Sequence, residues 1–158
     1  MGNATAIIVG QILGRGELER AVDEDRKLIA FSIVLCTAVG LVMAVIAPLV
    51  PRIYNTSETV RALASQLIFV VALFMPFHAF TNSCYFTLRA GGQAVVTFIF
   101  DSLYQCVLVV PLAFTLSRYT AVPILPMYVA VQSMEFIKCF IGYYFLKKRK
   151  WVRDLVNG

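Results

Sequence analysis

The sequence predicts an all-α, polytopic bundle of membrane-crossing helices, with one truncated span followed by four full ones. Three observations predict it. Of 158 residues, 59% are hydrophobic and 15% charged, and the mean hydropathy is +0.78, more apolar side chain than one soluble core of this size can bury. Charge is absent over long stretches: 24 residues separate Lys27 from Arg52, and 27 separate Arg61 from Arg89. Each stretch is long enough to cross about 30 Å of hydrocarbon. Finally, the basic residues cluster at the ends of apolar runs and not in one stripe interleaved with aromatics, which argues against a nucleic-acid partner despite the +5 formal charge.

The elements follow in order. The opening run, residues 3–13, is too short for a span, which needs about 20 apolar residues, and lacks the basic start of a secretory signal. It reads as the end of a longer helix. Spans are expected at about 28–50 and 60–88, then at 95–117 and 122–146, with a tail over 147–158. The last two spans carry Asp101, Glu135 and Lys138 but are otherwise dominated by Val, Leu, Ile and Phe. The charged segment "ELERAVDEDRK" (17–27) reads as a solvated interfacial helix.

Counting Lys and Arg by alternate connections gives ten on one side, including Arg15, Arg20, Arg26, Lys27, Arg89 and the 147–153 cluster, against Arg52, Arg61 and Arg118 on the other. The positive-inside rule makes the first side cytoplasmic, and the tail with it, with Trp151 as a headgroup-level anchor. The expectation is a multi-pass protein of the cell (inner or plasma) membrane. Cys36, Cys84, Cys106 and Cys139 fall inside spans, where they pack as small apolar residues. With no C-x-x-C pair and the single His78, neither a disulfide nor a metal site is expected.

Polar residues inside the spans are the candidate functional groups. His78, Thr81, Asn82, Tyr85 and Arg89 stand at i, i+3, i+4, i+7 and i+11, one face of an apolar helix. Such a stripe suits water or protein, and Pro76 removes a backbone hydrogen bond just before it. The plainer reading is that Thr81 and Asn82 bond to adjacent helices and His78 is a neutral core residue. Asp101 and Lys138 lie about 10 and 12 Å deep from the same side at 1.5 Å per residue. Each ionised group costs about 2.5–3.5 kcal/mol at a helix centre, so an Asp101–Lys138 ion pair between the last two spans is expected. Glu135 shares a face with Tyr128, Gln132, Cys139 and Gly142. It reads either as a proton or cation carrier or as a structural partner of Lys138, one turn away. Gly10 and Gly14 are four apart on one helix face, which suits close approach of a neighbouring backbone, and Gly16 suits a helix-ending positive φ.

Three blocks carry a family resemblance. "VGQILGRGELERA" (9–21), "PFHAFTNSCYFTLRAGGQAVVTFIFDSLYQ" (76–105) and "YVAVQSMEFIKCFIGYYFLKKRKWVRDLV" (128–156) resemble, in order, segments of the second lobe of the multidrug and toxic compound extrusion (MATE) family. The resemblance implies a partial six-helix lobe, lacking its first helix and most of its second, of a twelve-helix antiporter. Such a protein exports small cationic or amphipathic compounds in exchange for sodium ions or protons, with the missing N-terminal lobe as partner and no cofactor beyond the coupling ion. It also implies that His78 stands where some members place a cation-binding carboxylate. Sodium favours oxygen ligands and histidine titrates near neutral pH, so the coupling ion stays open. The substrate or cation pathway candidates are His78, Asn82, Tyr85, Gln132 and Glu135. The alternative is a small structural or assembly membrane protein without transport of its own, and nothing in the spans suggests an enzyme.

Overall fold

The computed structural model describes residues 2–53, 55, 57–119, 122–149 and 151–152. The expectations that fall on Lys150, Arg153 and the rest of the tail to residue 158 lie outside the described residues. Five helices follow one another: α1 (Gly2–Gly14), α2 (Leu18–Ile46), α3 (Glu58–Ala90), α4 (Val95–Tyr119) and α5 (Ile124–Lys147). A short 3₁₀ turn, Val50–Ile53, follows α2. Helices α2 to α5 are each long and apolar enough to cross a membrane.

Local chemistry sets the boundaries. Helix α1 ends because Gly16 takes φ +75, so that its N–H reaches the Leu13 carbonyl and the Glu17 N–H that of Ile12, at 3.0 and 3.3 Å. This is a Schellman cap, available to glycine without steric cost. Helix α3 closes the same way, with Gly92 at φ +77 and the N–H of Gln93 bonded to Leu88 O at 3.0 Å. Glu58 in the first turn of α3 and Arg89 in its last suit the helix dipole. Hydroxyls within the spans satisfy themselves on their own helices. Thr37 donates to Ile33 O at 2.7 Å, Ser133 to Val129 O at 2.7 Å and Thr81 to Phe77 O at 3.0 Å, which hides them from hydrocarbon.

Helix α2 begins ten residues before the expected span, because the charged segment is its first turns and not a separate interfacial helix. Exposed i,i+3 pairs, Glu17–Arg20 and Glu24–Lys27, both at 2.8 Å, decorate one side of it. The opposite side carries Ala21, Val22, Asp25 and Ile29 into the bundle.

Helix α3 is the hub, packing against α1, α2 and α5, while α4 touches α5 and meets α3 near its own start. Helix α2 comes close to α3 at Gly40, where a Cβ would lie 2.7 Å from the Ala72 carbonyl oxygen. Pro76 explains the site. Four residues beyond Ala72 inside the helix, it has no N–H to offer that carbonyl, and the bare Gly40 backbone covers the vacated oxygen.

Gly10 and Gly14 meet no close neighbour among the described residues, since a Cβ at either would have nothing within 4 Å, and α1 docks on the described helices through Thr5, Val9 and Leu13. Trp151 also differs from expectation. It is not a surface anchor but 1% exposed, packed with Val9, Leu13, Ala21, Val22 and Leu88 in the apolar core at the basic end. The absence of a side chain on Gly91 makes this possible, since a Cβ there would collide with the Trp151 backbone.

Outside that core the bundle is apolar on its surface. Only 6% to 18% of each span's most apolar window is buried, and Leu41, Val45, Leu73 and Phe140 are among many large side chains facing outward. The accessible area is 9837 Å², against about 7,900 Å² for a soluble monomer of this mass. Lipid or further protein is the solvent these faces fit.

Candidate functional site

Helix α3 brings His78, Thr81, Asn82 and Tyr85 to one side of a cleft whose other walls are α4 and α5. Its volume is about 430 Å³. Spacing alone accounts for the α3 contribution, since residues three, four and seven apart share a face. The fifth member of the stripe, Arg89, does not reach the cleft. From α4 come Asp101, Tyr104 and Gln105, and from α5 come Gln132, Glu135 and Lys138.

Two ionic contacts span the cleft. Lys138 Nζ lies 3.2 Å from Asp101 Oδ1 and 3.5 Å from Gln105 Oε1, and it sits 5.4 Å from the centre of the Tyr104 ring. Lys138 is the buried partner, its side chain 8% exposed against 56% for Asp101. An ammonium so enclosed needs compensation, and here it receives an anion, an amide oxygen and an aromatic face. Tyr104 adds a second tie between α4 and α5 by donating to Met134 O at 2.9 Å.

The other contact joins α3 to α5. His78 Nδ1 stands 3.6 Å from Glu135 Oε1, an ion pair when the imidazole is protonated. Among the described residues the ion pair of Glu135 is thus with His78 on the facing helix, not with Lys138 on its own. Each group has a different neighbour one residue away. Phe77 and Phe136 meet edge to face with ring centres 4.7 Å apart, and Phe74 adds a third ring 5.6 Å from Phe136. This aromatic clamp fixes the distance between the two helices and so between His78 and Glu135. Gln132 extends the polar wall, its amide 3.4 Å from the Tyr128 hydroxyl. Cys139 turns away, its sulfur 3.3 Å from Thr81 Oγ1.

Helix α4 is wound irregularly where it lines the cleft. Two π-helical stretches, Ile99–Leu103 and Gln105–Val109, lie between α-helical turns and carry Asp101 and Gln105. Such wide turns recur at functional sites because they re-aim side chains within an otherwise continuous helix.

All seven residues expected to serve the pathway or the intramembrane pair, His78, Asn82, Tyr85, Asp101, Gln132, Glu135 and Lys138, therefore line a single cleft. Sequence reasoning missed Gln105 and Tyr104, for which α4 offers no periodic signal. It also missed Asp25. That carboxylate is 2% exposed and accepts a hydrogen bond from Thr87 Oγ1 at 2.5 Å. The signal was present: Asp25 follows Ala21 and precedes Ile29 by four residues each, on the apolar face of α2. Among the described residues no group of three or more His, Cys, Asp or Glu side chains could hold a metal ion.

The family model MatE matches residues 1–115, ending before α5 and so covering the α3 and α4 walls of the cleft. No curated protein matches the chain, and no solved structure does. A match over that share of the chain, on a set of helices long and apolar enough to cross a membrane, places this protein in the multidrug and toxic compound extrusion (MATE) family of membrane transporters.

Proposed function

We propose that the chain forms part of the second lobe of a MATE-type antiporter and that its polar cleft belongs to the pathway by which drugs or organic cations leave in exchange for sodium ions or protons. One observation carries the reading: in a bundle whose outer surface is hydrocarbon, the ionisable side chains His78, Asp101, Glu135 and Lys138 converge on one cleft. Intramembrane charges are costly and collect where water, ions or substrate pass.

The two ionic contacts suggest different roles. Lys138, enclosed and engaged by three groups, serves as a fixed strut between α4 and α5. His78 and Glu135 form the responsive pair. The side chain of His78 is 41% exposed, their 3.6 Å separation admits a proton, and they sit on different helices, so that a change in charge alters the force between α3 and α5. A carboxylate oxygen beside an imidazole fits a proton more readily than sodium, because the imidazole adds no oxygen ligand. Export by this mechanism involves two lobes rocking about a shared cavity, so the partner is a first lobe.

Efflux of a fluorescent organic cation tests the reading, measured in cells expressing the chain together with a MATE-type first lobe. Glu135→Gln and His78→Ala are expected to abolish or severely reduce efflux at unchanged protein level, while Leu73→Ala on the outer face is tolerated. Full efflux in both cleft variants would exclude the cleft from the pathway, and no efflux with the unaltered chain would favour the structural-protein alternative.

A further inference from the structure

At the basic end of the bundle lies a second cavity, separate from the polar cleft and about 460 Å³ in volume, between α2, α3 and α5. Its two halves differ in chemistry. Ile29, Ile33, Phe80 and Tyr143 line it with hydrocarbon and aromatic surface, while Arg26, Lys147 and Arg149 stand at its charged edge. Arg149 is engaged by Glu19 at 3.3 Å. Arg26 and Lys147 have no ion-pair partner among the described residues. Asp25 also borders the cavity, 2% exposed and accepting from Thr87, so that Arg26 and Lys147 together face one buried carboxylate and the edge keeps a net positive charge. Trp151 borders it too, with an indole N–H that is buried and has no hydrogen-bond partner among the described residues.

We propose that this cavity is a binding site for an anionic glycerophospholipid, its acyl chain against Ile29, Ile33, Phe80 and Tyr143 and its phosphate between Arg26 and Lys147. Charge complementarity selects the occupant. A zwitterionic lipid brings no net charge to two unpaired cations. A soluble anion leaves the apolar wall wet, and a neutral hydrocarbon leaves the cations unpartnered. An amphiphile with one negative headgroup satisfies both halves, and the site lies where spans end and headgroups begin.

Trp151 is the only tryptophan in the chain, which makes the site directly readable. The probe is phosphatidylglycerol with brominated acyl chains, titrated into micelles of the purified chain while Trp151 fluorescence is followed. Saturable quenching is expected at concentrations where brominated phosphatidylcholine quenches little, and unlabelled phosphatidylglycerol reverses it whereas inorganic phosphate does not. The double variant Arg26→Gln/Lys147→Gln is expected to weaken binding about 30-fold, from roughly 1 kcal/mol per cation. Lys27→Gln/Lys148→Gln removes the same charge from the adjacent residues, which do not line the cavity, and is expected to change binding less than about threefold. Ala30→Phe, which fills the cavity with every charge retained, abolishes saturable quenching. Equal quenching by both lipids, equal loss in the two double variants, competition by phosphate alone, or undiminished quenching in Ala30→Phe would each overturn the proposal.

Discussion

Two stretches of α3 live in different company. From Phe86 to Ala90 the helix runs into the basic end, where Leu88 joins Val9, Leu13, Ala21, Val22 and Trp151 in a dry apolar core, and the buried Thr87 bonds both Asp25 and the Ser83 carbonyl. From His78 to Tyr85 the same helix borders an open cleft in which charged groups are met by partners on other helices. The first region is fixed by shape, with Gly91 yielding its volume to Trp151. The second is fixed by charge and keeps space. Under the proposed transporter reading the two are complementary: a knot that holds helices α1 to α3 together, and a cavity that something else can enter.

The contrast sets an order of effects. Trp151→Ala is expected to be the most damaging single change, costing about 3–5 kcal/mol as a lowered melting temperature in detergent. His78→Ala, on the open cleft, should stay within about 1 kcal/mol in the same assay. Comparable losses in the two variants would remove the distinction between the regions. Next is Gly40→Val, which drives a side chain against the Ala72 carbonyl and is expected to cost about 1–3 kcal/mol or more; a neutral result would show that α2 does not approach α3 there.

Asp101→Asn comes third. It deprives Lys138 of its anion while Gln105 remains, for a loss of about 1–2 kcal/mol. Exchanging the charges, Asp101→Lys with Lys138→Asp, should recover part of that loss. A double variant no better than either single one would show that the pair contributes nothing to stability. The smallest effect carries the opposite sign. Gly10→Ala, with open space around it, is expected to stabilise α1 by about 0.5–1 kcal/mol, visible as slower proteolysis or a small rise in melting temperature.

These differences also show what a sequence can and cannot disclose about such a bundle. The long helices were legible because hydrocarbon excludes charge, so the intervals Lys27 to Arg52 and Arg61 to Arg89 announce themselves. The stripe from His78 to Tyr85 was legible because it lies within one helix, where period and face are equivalent. Depth arithmetic set Asp101 and Lys138 at one level, and their side chains meet. What could not be read depends on which helix lies opposite. Glu135 had Lys138 in reach along its own helix, but its partner His78 comes from α3. The spacing of Gly10 and Gly14 fits close packing equally well where a Cβ would meet none of the described residues. Asp25, surrounded by Asp23, Glu24 and Arg26, was hidden by its neighbours' charge, although one turn on either side is apolar. Trp151 lies outside the helices, so no periodicity constrained it, and only the vacancy beside Gly91 gives its place.

Cysteine accessibility tests the central claim, that the His78 face of α3 borders a polar, water-entered cleft while the opposite face meets lipid. Asn82 and Leu73 are nine residues apart, half a turn around the same helix, the first lining the cleft and the second 62% exposed on the outer surface. With Cys36, Cys84, Cys106 and Cys139 replaced by alanine or serine, Asn82→Cys in intact membranes should react with a water-soluble thiol reagent, and Leu73→Cys should not. Equal labelling at the two positions, or labelling of Leu73→Cys alone, would contradict the account.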